Sequence, residues 1–488
     1  MTVRTRFEPS PSGSIHVGTA LVASFNWYLA RKHGGRFVLR VADTDASRVV
    51  PEGLRSVVED LRWLGLTWDE GPEVGGPHEP YFQSQRGDLY RAAAARLVEQ
   101  GQAYRCYCTP EELEAMRERA RAAKRPPRYE GRCRDLGEAE RAAFEAEGRS
   151  SVIRFRVPEG STTVEDLVRG EVTFAHAELQ DFVILRADGS ALYQLAVSYD
   201  DMEMEITHVI RGEDIFASTP NQVLLMRAMG AERTPSYGHV PLIVGPDRRP
   251  LGKRHGDTAI AEFRDHGFLP EVILNYLATL NWSVGDGSRE KFSVEELIQA
   301  FDPSGVTRNP SAFDYAKLEA WNGDGIRALA AEDLCERLVP YLAAEGIDVT
   351  PFDPRLRAIV PHIHERMRRL NEAAEQIRFL FQEVEPDEKA LGQLTPETVP
   401  LLRDATVVAE AVDRWVTEAL TGALMTWADG SGISRKKALQ PIRAAITGRL
   451  VSPPLFESME VLGRERSLAR LHGAVERASA GAKDIAEG

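Results

Sequence analysis

The chain has 488 residues, of which 43% are hydrophobic and 27% charged, and a formal net charge of -14. This length predicts roughly three or four domains, at about 100–200 residues per domain. The acidic balance argues against binding to nucleic acid through overall charge, although an acidic body can carry a local basic track. No signal peptide is expected, because the first few residues are charged, and no stretch is apolar for long enough to span a bilayer.

The first stretch of chemical interest is a loop between a predicted strand (residues 3–7) and a predicted helix (residues 20–32). The loop holds prolines, glycines and serines, and His16 and Gly18 lie at its end. A strand, a glycine-rich turn and a helix together point backbone N–H groups at an anion, most often a phosphate. A histidine there can donate to developing phosphoryl charge, and a glycine lets a nucleotide approach the backbone.

The rest of residues 1–105 alternates strands with helices. A buried-strand pattern covers residues 36–41 and is closed by Asp43-Thr-Asp45, and amphipathic helices are predicted over residues 51–64 and 86–99. Such alternation predicts a parallel, doubly wound α/β sheet.

Residues 106–190 interrupt this pattern and are interpreted as an insertion between two halves of the sheet. They contain three clustered cysteines, an Arg/Ala/Glu-rich helix over residues 110–124 and short β-like runs. The α/β pattern returns over residues 191–256, with a helix from Pro220, a strand over residues 240–244 and a polar loop after it.

After residue 257 the pattern is mostly helical. Residues 257–322 are predicted to form a connecting region, and residues 323–488 an all-α region with breaks at its prolines and glycines. The sequence Asn322-Gly-Asp-Gly325 suggests a linker between these parts. The small residues 478–488 are predicted to be disordered.

A second chemical stretch is the basic, glycine-containing loop Asp247-Arg-Arg-Pro-Leu-Gly-Lys-Arg-His-Gly256. It suits a mobile cationic flap over a polyphosphate, and the alternative is a solvated basic surface loop. Together with the first stretch it resembles the two signatures of class I aminoacyl-tRNA synthetases. Ser14-Ile-His-Val-Gly18 stands where that family has its HIGH sequence, and Pro250-Leu-Gly-Lys-Arg254 where it has KMSKS.

Longer matches resemble the glutamyl-tRNA synthetases within that class. They run in the same order over nearly the whole chain: Arg6-Phe-x-Pro-Ser-Pro-x-Gly13, Phe37-Val-Leu-Arg-Val-x-Asp-Thr-Asp45, Trp68-Asp-Glu-Gly-Pro72, Ile206-Thr-His-Val-Ile-Arg-Gly-Glu-Asp214, Phe313-Asp-x-x-Lys-Leu318, Pro454-Leu-Phe-Glu457 and Val461-Leu-Gly-Arg-Glu-Arg466.

The resemblance implies a Rossmann-like doubly wound parallel sheet split by an inserted domain, followed by an all-α C-terminal half. It implies ATP-dependent ligation of L-glutamate to tRNA-Glu through a glutamyl-adenylate, with Mg2+ arriving on the ATP. By the same resemblance the insertion binds the tRNA acceptor end, residues 257–322 contact the stem, and residues 323–488 bind the anticodon. A cytoplasmic monomer is expected.

The resemblance also assigns roles to single residues. His16, Gly18, Lys253 and Arg254 are expected to be catalytic, and ATP is expected to lie against Ser10, His16, Gly18, Glu213, Asp214 and Lys253. A carboxylate substrate calls for arginine forks, and the glutamate-binding positions are Arg6, Ser10, Tyr193 and Arg211. Alternative interpretations are an ion pair of Arg211 with Glu213 or Asp214, and a core role for Tyr193.

Three positions depart from the family. Ala42 stands where an acidic residue is expected to hold the substrate's α-amino group. Glu8 replaces a small residue and can supply a carboxylate from the facing strand. Gly252 replaces the serine of the cationic loop, which leaves Lys253 and Arg254.

Cys106, Cys108 and Cys133 form a candidate zinc site, for which a tetrahedral ion needs a fourth ligand. Some members of the family use a histidine two residues after the last cysteine, where this chain has Asp135, and Tyr129 is a rival. The alternative is a hydrogen-bonded insertion that has lost its metal. Cys335 is predicted to be a core residue.

The helical half is rich in basic residues, which are either solvated helix faces or part of an anticodon-binding surface. They are Arg355, Arg357, Arg366, Arg368, Arg369, Arg435, Lys436, Lys437, Arg443 and Arg449. Four other functions remain open: an enzyme that also charges tRNA-Gln, a tRNA-binding paralogue with weakened or no activity, a base-modifying synthetase-like enzyme, and a nucleotidylyltransferase without tRNA. The long helical half argues against the last two.

Overall fold

The structure, a computed structural model, describes residues 2–44, 50, 52–285 and 287–486, with the backbone alone for residues 481–486. Its strands are β1 (Arg4–Phe7), β2 (Arg36–Leu39), β3 (Ala103–Cys106), β4 (Val152–Phe155), β5 (Ser161–Asp166), β6 (Gly170–Ala175), β7 (Val183–Leu185), β8 (His208–Gly212), β9 (Ser236–Val240), β10 (Ile243–Val244) and β11 (Ser311–Ala312).

The first ten helices are α1 (Val17–Lys32), α2 (Gly53–Trp63), α3 (Gly87–Glu99), α4 (Pro110–Ala122), α5 (Glu138–Ala146), α6 (Tyr193–Glu203), α7 (Thr219–Ala228), α8 (Ile260–Asp265), α9 (Pro270–Asn281) and α10 (Val294–Ala300). The others are α11 (Tyr315–Ala328), α12 (Ala331–Ala344), α13 (Pro354–Ile363), α14 (Glu372–Ile377), α15 (Glu388–Leu391), α16 (Val399–Glu410), α17 (Thr417–Gly430), α18 (Arg435–Thr447), α19 (Leu455–Leu462) and α20 (Arg464–Ala486). No described helix is long and apolar enough to cross a membrane.

The chain divides into two compact units. The first comprises Met1–Phe263 and Ile273–Asp314, and the second comprises Arg264–Val272 and Tyr315–Gly488.

The first unit is built on parallel strand pairs. Strand β1 pairs in parallel with β2, and β8 with β9. The backbone N–H of Thr207, just before β8, donates to the carbonyl of Arg4 on β1 at 2.9 Å, which joins strands about 200 residues apart. Strands β1, β2 and β8 each lead into a helix, namely α1, α2 and, after a short 3-10 turn, α7, which confirms the predicted Rossmann-like fold.

A four-stranded sheet runs in the order β6-β5-β9-β8. Strands β5 and β6 come from the predicted insertion, yet β5 pairs in parallel with β9 through Asp166 and Tyr237. A separate antiparallel sheet, β3-β4-β7, carries the remaining strands of that region. Part of the predicted insertion therefore completes the sheet of the second half.

One predicted strand is broken in two. Residues 240–244 form the end of β9 and the short β10, with Pro241 and Leu242 between them. Proline has no N–H to donate to a ladder, so the pairing stops there. Of the predicted Asp43-Thr-Asp45 sequence, Asp43 accepts hydrogen bonds from Ser84, and Asp45 lies outside the described residues.

The second unit is helical, as predicted, with breaks at the expected prolines and glycines. Cys335 is buried in its core, which confirms the prediction for that residue. The disorder expected from residue 478 onward is wrong for the described residues, because α20 continues to Ala486.

The predicted linker Asn322-Gly-Asp-Gly325 is also wrong, since these residues lie inside α11. The Asn322 side chain is fully buried and hydrogen-bonds to the backbone of Leu269 and Arg368. A Cβ at Gly325 would come within 2.7 Å of Val272 Cγ2. These polar and small residues allow close packing within the second unit, which local sequence does not distinguish from a loop.

Candidate active site

A cavity of about 410 Å3 opens in the first unit where β1 and β8 end. The carboxyl ends of parallel strands are where α/β sheets bind ligands. The predicted residues that line this cavity are Arg6, His16, Gly18, Tyr193, Arg211 and Asp214, joined by Glu8. Ser10, Glu213, Lys253 and Arg254 do not line it.

His16 is the N-cap of α1, the helix that begins at this cavity. Its Nδ1 accepts a hydrogen bond from the backbone N–H of Gly18 at 3.1 Å. Burial lowers the pKa of His16, partly opposed by a hydrogen bond with the backbone of Leu251. The neutral ring therefore carries its proton on Nε2, on the side of the Leu251 backbone, at a helix N-terminus where anions are favoured.

Arg211, at the end of β8, is buried with 3% exposure. Its guanidinium hydrogen-bonds only to neutral groups: His239 Nε2 at 2.9 Å, Gln222 Oε1 at 2.7 Å and Thr219 Oγ1 at 2.9 Å. Among the described residues no carboxylate lies within 4.0 Å of it, and burial lowers its pKa. The alternative ion pairs with Glu213 or Asp214 are therefore not formed, and a guanidinium without a carboxylate in direct contact lines the cavity.

Arg6 lines the same cavity but has carboxylate partners. Its Nε lies 3.3 Å from Asp201 Oδ1 and 3.8 Å from Glu8 Oε2. The fully buried Arg40 also contacts both carboxylates, at 2.7 Å and 2.9 Å. Burial alone would lower the pKa of Arg6, but the charges of Asp201 and Glu8 raise it. The contacts of its Nε with Asp201 and Glu8 hold Arg6 in place. Its Nη atoms take no part in these two contacts.

Glu8 is fixed by the same network. Its Oε1 accepts from Gln83 Nε2 at 2.7 Å and its Oε2 from Arg40. Ala42 lies on the neighbouring chain segment, with its N–H bonded to the carbonyl of Pro9. Glu8 and Asp214 are thus the carboxylates that line the described cavity.

The cationic loop touches the cavity through its first residues, Pro250 and Leu251. The chain beyond it pairs with His16 through Ala259. Lys253 lies in a single helical turn, Lys253–His255, two residues from Leu251. Arg254 is exposed and lies 3.7 Å from Asp247. Glu213 is occupied by Arg169 and by the N–H of Leu242.

The three predicted cysteines do come together. The sulfur atoms of Cys106, Cys108 and Cys133 all lie within 4.8 Å of one another. The Tyr129 hydroxyl is 3.4 Å from Cys106 Sγ and accepts from the N–H of Cys133. Asp135 is not in the cluster: its exposed carboxylate accepts from Arg156 at 2.8 Å. Three thiols and an oxygen fit tetrahedral zinc, with Tyr129 rather than Asp135 beside them.

In the second unit a cavity of about 370 Å3 gathers three of the predicted basic residues, Arg366, Lys436 and Arg443. Arg443 donates to Ser452 and to the carbonyl of Pro453, which fixes the loop before α19. Five of the other arginines pair with carboxylates elsewhere in this unit: Arg355, Arg357, Arg368, Arg435 and Arg449. Arg369 also pairs, with Glu319 at 3.2 Å.

Comparison with known proteins accounts for both units. Residues 2–320 match the family model described as tRNA synthetases class I (E and Q), catalytic domain, and residues 333–475 match an anticodon binding domain. A glutamate–tRNA ligase of Nocardioides sp. is 46% identical over 487 residues, covering 97% of this chain and 99% of that protein. The chain belongs to the glutamate–tRNA ligase family.

Two further relatives agree. A glutamate–tRNA ligase of Streptomyces coelicolor is 44% identical over 98% of this chain and 98% of its own length. The crystal structure of a glutamate tRNA ligase from Elizabethkingia meningosepticum, in complex with its amino acid, matches with a TM-score of 0.84 and 31% identity, over 98% of this chain and 99% of that one.

Sequence reasoning missed the residues that hold the cavity-lining arginines in place. Asp201 and Arg40 brace Arg6, while His239 and Asp166 stand behind Arg211. All four are buried charged or polar groups, and of these only Arg40 falls in a predicted strand, residues 36–41. The signal that could have found them is the presence of such groups in apolar stretches, since buried polar groups need partners.

Proposed function

We propose that this chain ligates L-glutamate to tRNA-Glu. In the first step a carboxylate oxygen of glutamate attacks the α-phosphorus of ATP, and pyrophosphate leaves. In the second step the terminal ribose hydroxyl of the tRNA attacks the glutamyl carbonyl carbon, and AMP leaves. Both steps depend on positioning and charge stabilisation more than on a side-chain nucleophile.

The observation that carries the proposal is that the buried guanidinium of Arg211 has hydrogen bonds to neutral groups and no carboxylate in direct contact. A buried guanidinium without a carboxylate is costly unless a ligand supplies one. Its neighbour across the cavity is Arg6, and two arginines suit an acidic side chain. Tyr193, 39% exposed at the start of α6, lines the cavity beside them. A glutamate side chain fits this pair of donors.

The substrate also carries an ammonium group, and Glu8 is our candidate for it. Its carboxylate lines the cavity next to Arg6, in a chain that has Ala42 where the resemblance led us to expect an acid. Glu8 is already held by Arg40 and Gln83, so it needs no rearrangement to accept from a ligand.

ATP is assigned to the His16 side of the cavity. The His16 N–H, the α1 N-terminus and the approach over Gly18 suit its phosphates. Lys253, Arg254 and Ser10 are assigned to the phosphates and pyrophosphate from the adjoining loops. Asp214, which lines the cavity, is favoured over Glu213 for the ribose or for Mg2+, which would neutralise phosphate charge when bound with ATP.

The three cysteines and Tyr129 would hold zinc, whose role here would be to fix the fold of residues 106–190. That region is proposed to bind the tRNA acceptor end, residues 257–322 the stem, and residues 323–488 the anticodon. The cavity with Arg366, Lys436 and Arg443 suits an unstacked base and its phosphate. A cytoplasmic monomer belongs to the same proposal.

Charging assays with purified tRNA-Glu and tRNA-Gln test the proposal. We expect transfer of radiolabelled glutamate to tRNA-Glu, with ATP consumed and AMP released, and glutamate-dependent pyrophosphate exchange that requires tRNA. Charging of both tRNAs would indicate the non-discriminating form. Exchange without tRNA would favour a base-modifying enzyme, and absence of both reactions would favour a tRNA-binding paralogue.

A further inference from the structure

Arg211 is held by a row of buried polar side chains that the proposed reaction does not use. Its Nε donates to His239 Nε2, and His239 Nδ1 lies 2.5 Å from Asp166 Oδ2. His239 and Asp166 are 0% and 2% exposed. The three residues stand on adjacent strands, Asp166 at the end of β5, His239 on β9 and Arg211 on β8 directly opposite His239.

The hydrogen-bond inventory fixes the tautomer of His239. A guanidinium has donors only, so Nε2 must be the acceptor and the ring proton must lie on Nδ1, facing the Asp166 carboxylate. Burial lowers the pKa of His239, although its bond to Asp166 acts the other way. The ring is therefore neutral, because a second proton on Nε2 would face the Arg211 N–H.

Asp166 is itself fixed. Its Oδ1 accepts from the backbone N–H groups of Val168 and Arg169 at 2.9 Å each, which leaves Oδ2 for His239. Burial would raise the pKa of Asp166, but these hydrogen bonds and that from His239 lower it. An ionised carboxylate thus holds the histidine proton on the side away from Arg211.

We propose that Asp166 and His239 are positioning residues that aim Arg211 at the substrate carboxylate by keeping a lone pair, not a proton, on His239 Nε2. This inference rests on the proposed function and deepens it. The orientation of the glutamate-binding arginine then depends on a strand, β5, that the sequence pattern placed in an insertion.

Asp166→Asn tests the proposal with almost no change in shape. The backbone N–H groups keep the amide oxygen at the Oδ1 position, so the amide N–H faces His239 Nδ1. The histidine proton must then move to Nε2, which can no longer accept from Arg211; the Thr219 hydroxyl, 3.2 Å from Nε2, is the acceptor left for that proton. In calorimetric titrations of the full chain we expect at least tenfold weaker binding of L-glutamate and ATP affinity within twofold of wild type.

Substitutions of His239 separate positioning from packing. His239→Gln keeps an acceptor near Nε2 and no longer transmits the state of Asp166, whereas His239→Asn has no acceptor at that position. We expect His239→Gln to bind glutamate at least five times more tightly than His239→Asn. In the His239→Gln background, Asp166→Asn should change glutamate affinity less than twofold, so the two effects are not additive.

His176→Asn is the matched control. His176 is also a buried histidine, bonded to Thr162 Oγ1 at 2.7 Å and to the carbonyl of Pro158 at 3.0 Å, and it is not bonded to Arg211. We expect it to lower the melting temperature without changing glutamate affinity.

The proposal is overturned if folded Asp166→Asn binds glutamate as wild type does, or loses glutamate and ATP affinity equally. It is also overturned if Asp166→Asn has its full effect in the His239→Gln background, or if His239→Asn and His239→Gln bind glutamate equally well. A wild-type chain that binds ATP but no glutamate would overturn the proposed function, and this inference with it.

Discussion

Arg6 and Arg211 reach one cavity in opposite electrostatic states. The pKa of Arg6 is raised by its carboxylate neighbours, whereas the pKa of Arg211 is lowered by burial without one. Arg6 therefore contributes to the stability of the folded chain, while Arg211 is suited to bind an anion. Substituting each should separate stability from binding.

We expect Arg211→Gln to weaken L-glutamate binding by about 1.5–3 kcal/mol, roughly 10- to 150-fold, because a charged hydrogen bond to the ligand is lost. Its melting temperature should stay near that of wild type.

Arg6→Gln should instead cost about 3–5 kcal/mol of stability, because Asp201 and Glu8 lose a buried partner. Calorimetric binding and thermal unfolding check both. Equal stability losses in the two variants would contradict this division, and the exposed Arg36→Gln serves as control.

The fourth zinc ligand gives a second prediction for single residues. Tyr129→Phe should weaken zinc binding strongly, while Asp135→Asn should leave it within about twofold of wild type, because Asp135 is bonded to Arg156 away from the sulfurs. Zinc content after purification, and competition with a chromogenic chelator, measure the two affinities. The opposite order of affinities would assign the ligand to Asp135, and a Cys133→Ser variant provides the metal-free reference.

Sequence reasoning picked out residues that stand out in loops and at strand ends and that line the cavity, such as His16, Gly18 and Arg211. It missed Asp166 and His239 because each looks ordinary in its own segment. Asp166 ends a strand of alternating burial, where an aspartate is typical of a turn. Only the pairing of β5 with β9 brings it to His239, and that pairing depends on the tertiary fold.

Among the helices, α11 shows that a glycine can be required for close packing and need not mark a turn. Gly325 faces Val272 and Leu269 within the second unit, at a distance that leaves no space for a methyl group. Asn322 in the same helix satisfies backbone groups of neighbouring segments. The sequence Asn-Gly-Asp-Gly has the composition of a linker, and only its neighbours in space reveal the helix.

Gly325→Ala is expected to destabilise the second unit by up to about 2 kcal/mol, because an overpacking cost of about 1–3 kcal/mol is offset by a helix-propensity gain of about 1 kcal/mol. Gly422→Ala, in α17, is the control: no atom lies within 4 Å of the added Cβ. That variant should be stabilised by about 0.5–1 kcal/mol. Urea unfolding curves measure both, and stabilisation by Gly325→Ala would show that its neighbours yield freely.

For the whole molecule, family resemblance gave the fold class, and periodicity placed the helices predicted between residues 20 and 124 to within a few residues. Neither the resemblance nor the periodicity predicted which segments pack together into each compact unit. The predicted connecting region, residues 257–322, contributes to both units, with Arg264–Val272 and the start of α11 in the second. Such discontinuity reflects packing between distant segments, on which local patterns carry no information.

One buried and two half-buried histidines predict how the stability of the folded chain depends on pH. Burial lowers the pKa of His16, His208 and His239 below the ordinary value of about 6.5. The unfolded chain therefore binds protons at a higher pH than the folded chain does. The contribution of these histidines to the free energy of unfolding is fully present above about pH 6.5. It is lost as the pH falls towards and through their pKa values in the folded chain. The melting temperature should drop between pH 7 and pH 5, and less so in His239→Gln. A flat profile in wild type would contradict this.

The bond between Arg4 and Thr207 has a consequence for synthesis of the chain. As the nascent polypeptide leaves the ribosome, about 200 residues are synthesised between β1 and β8. The residues that line the cavity are complete only after Leu251 has emerged. Contacts so distant in sequence form slowly. During that interval the open edge of β1 and β2 is exposed, and it is there that a chaperone would be needed most.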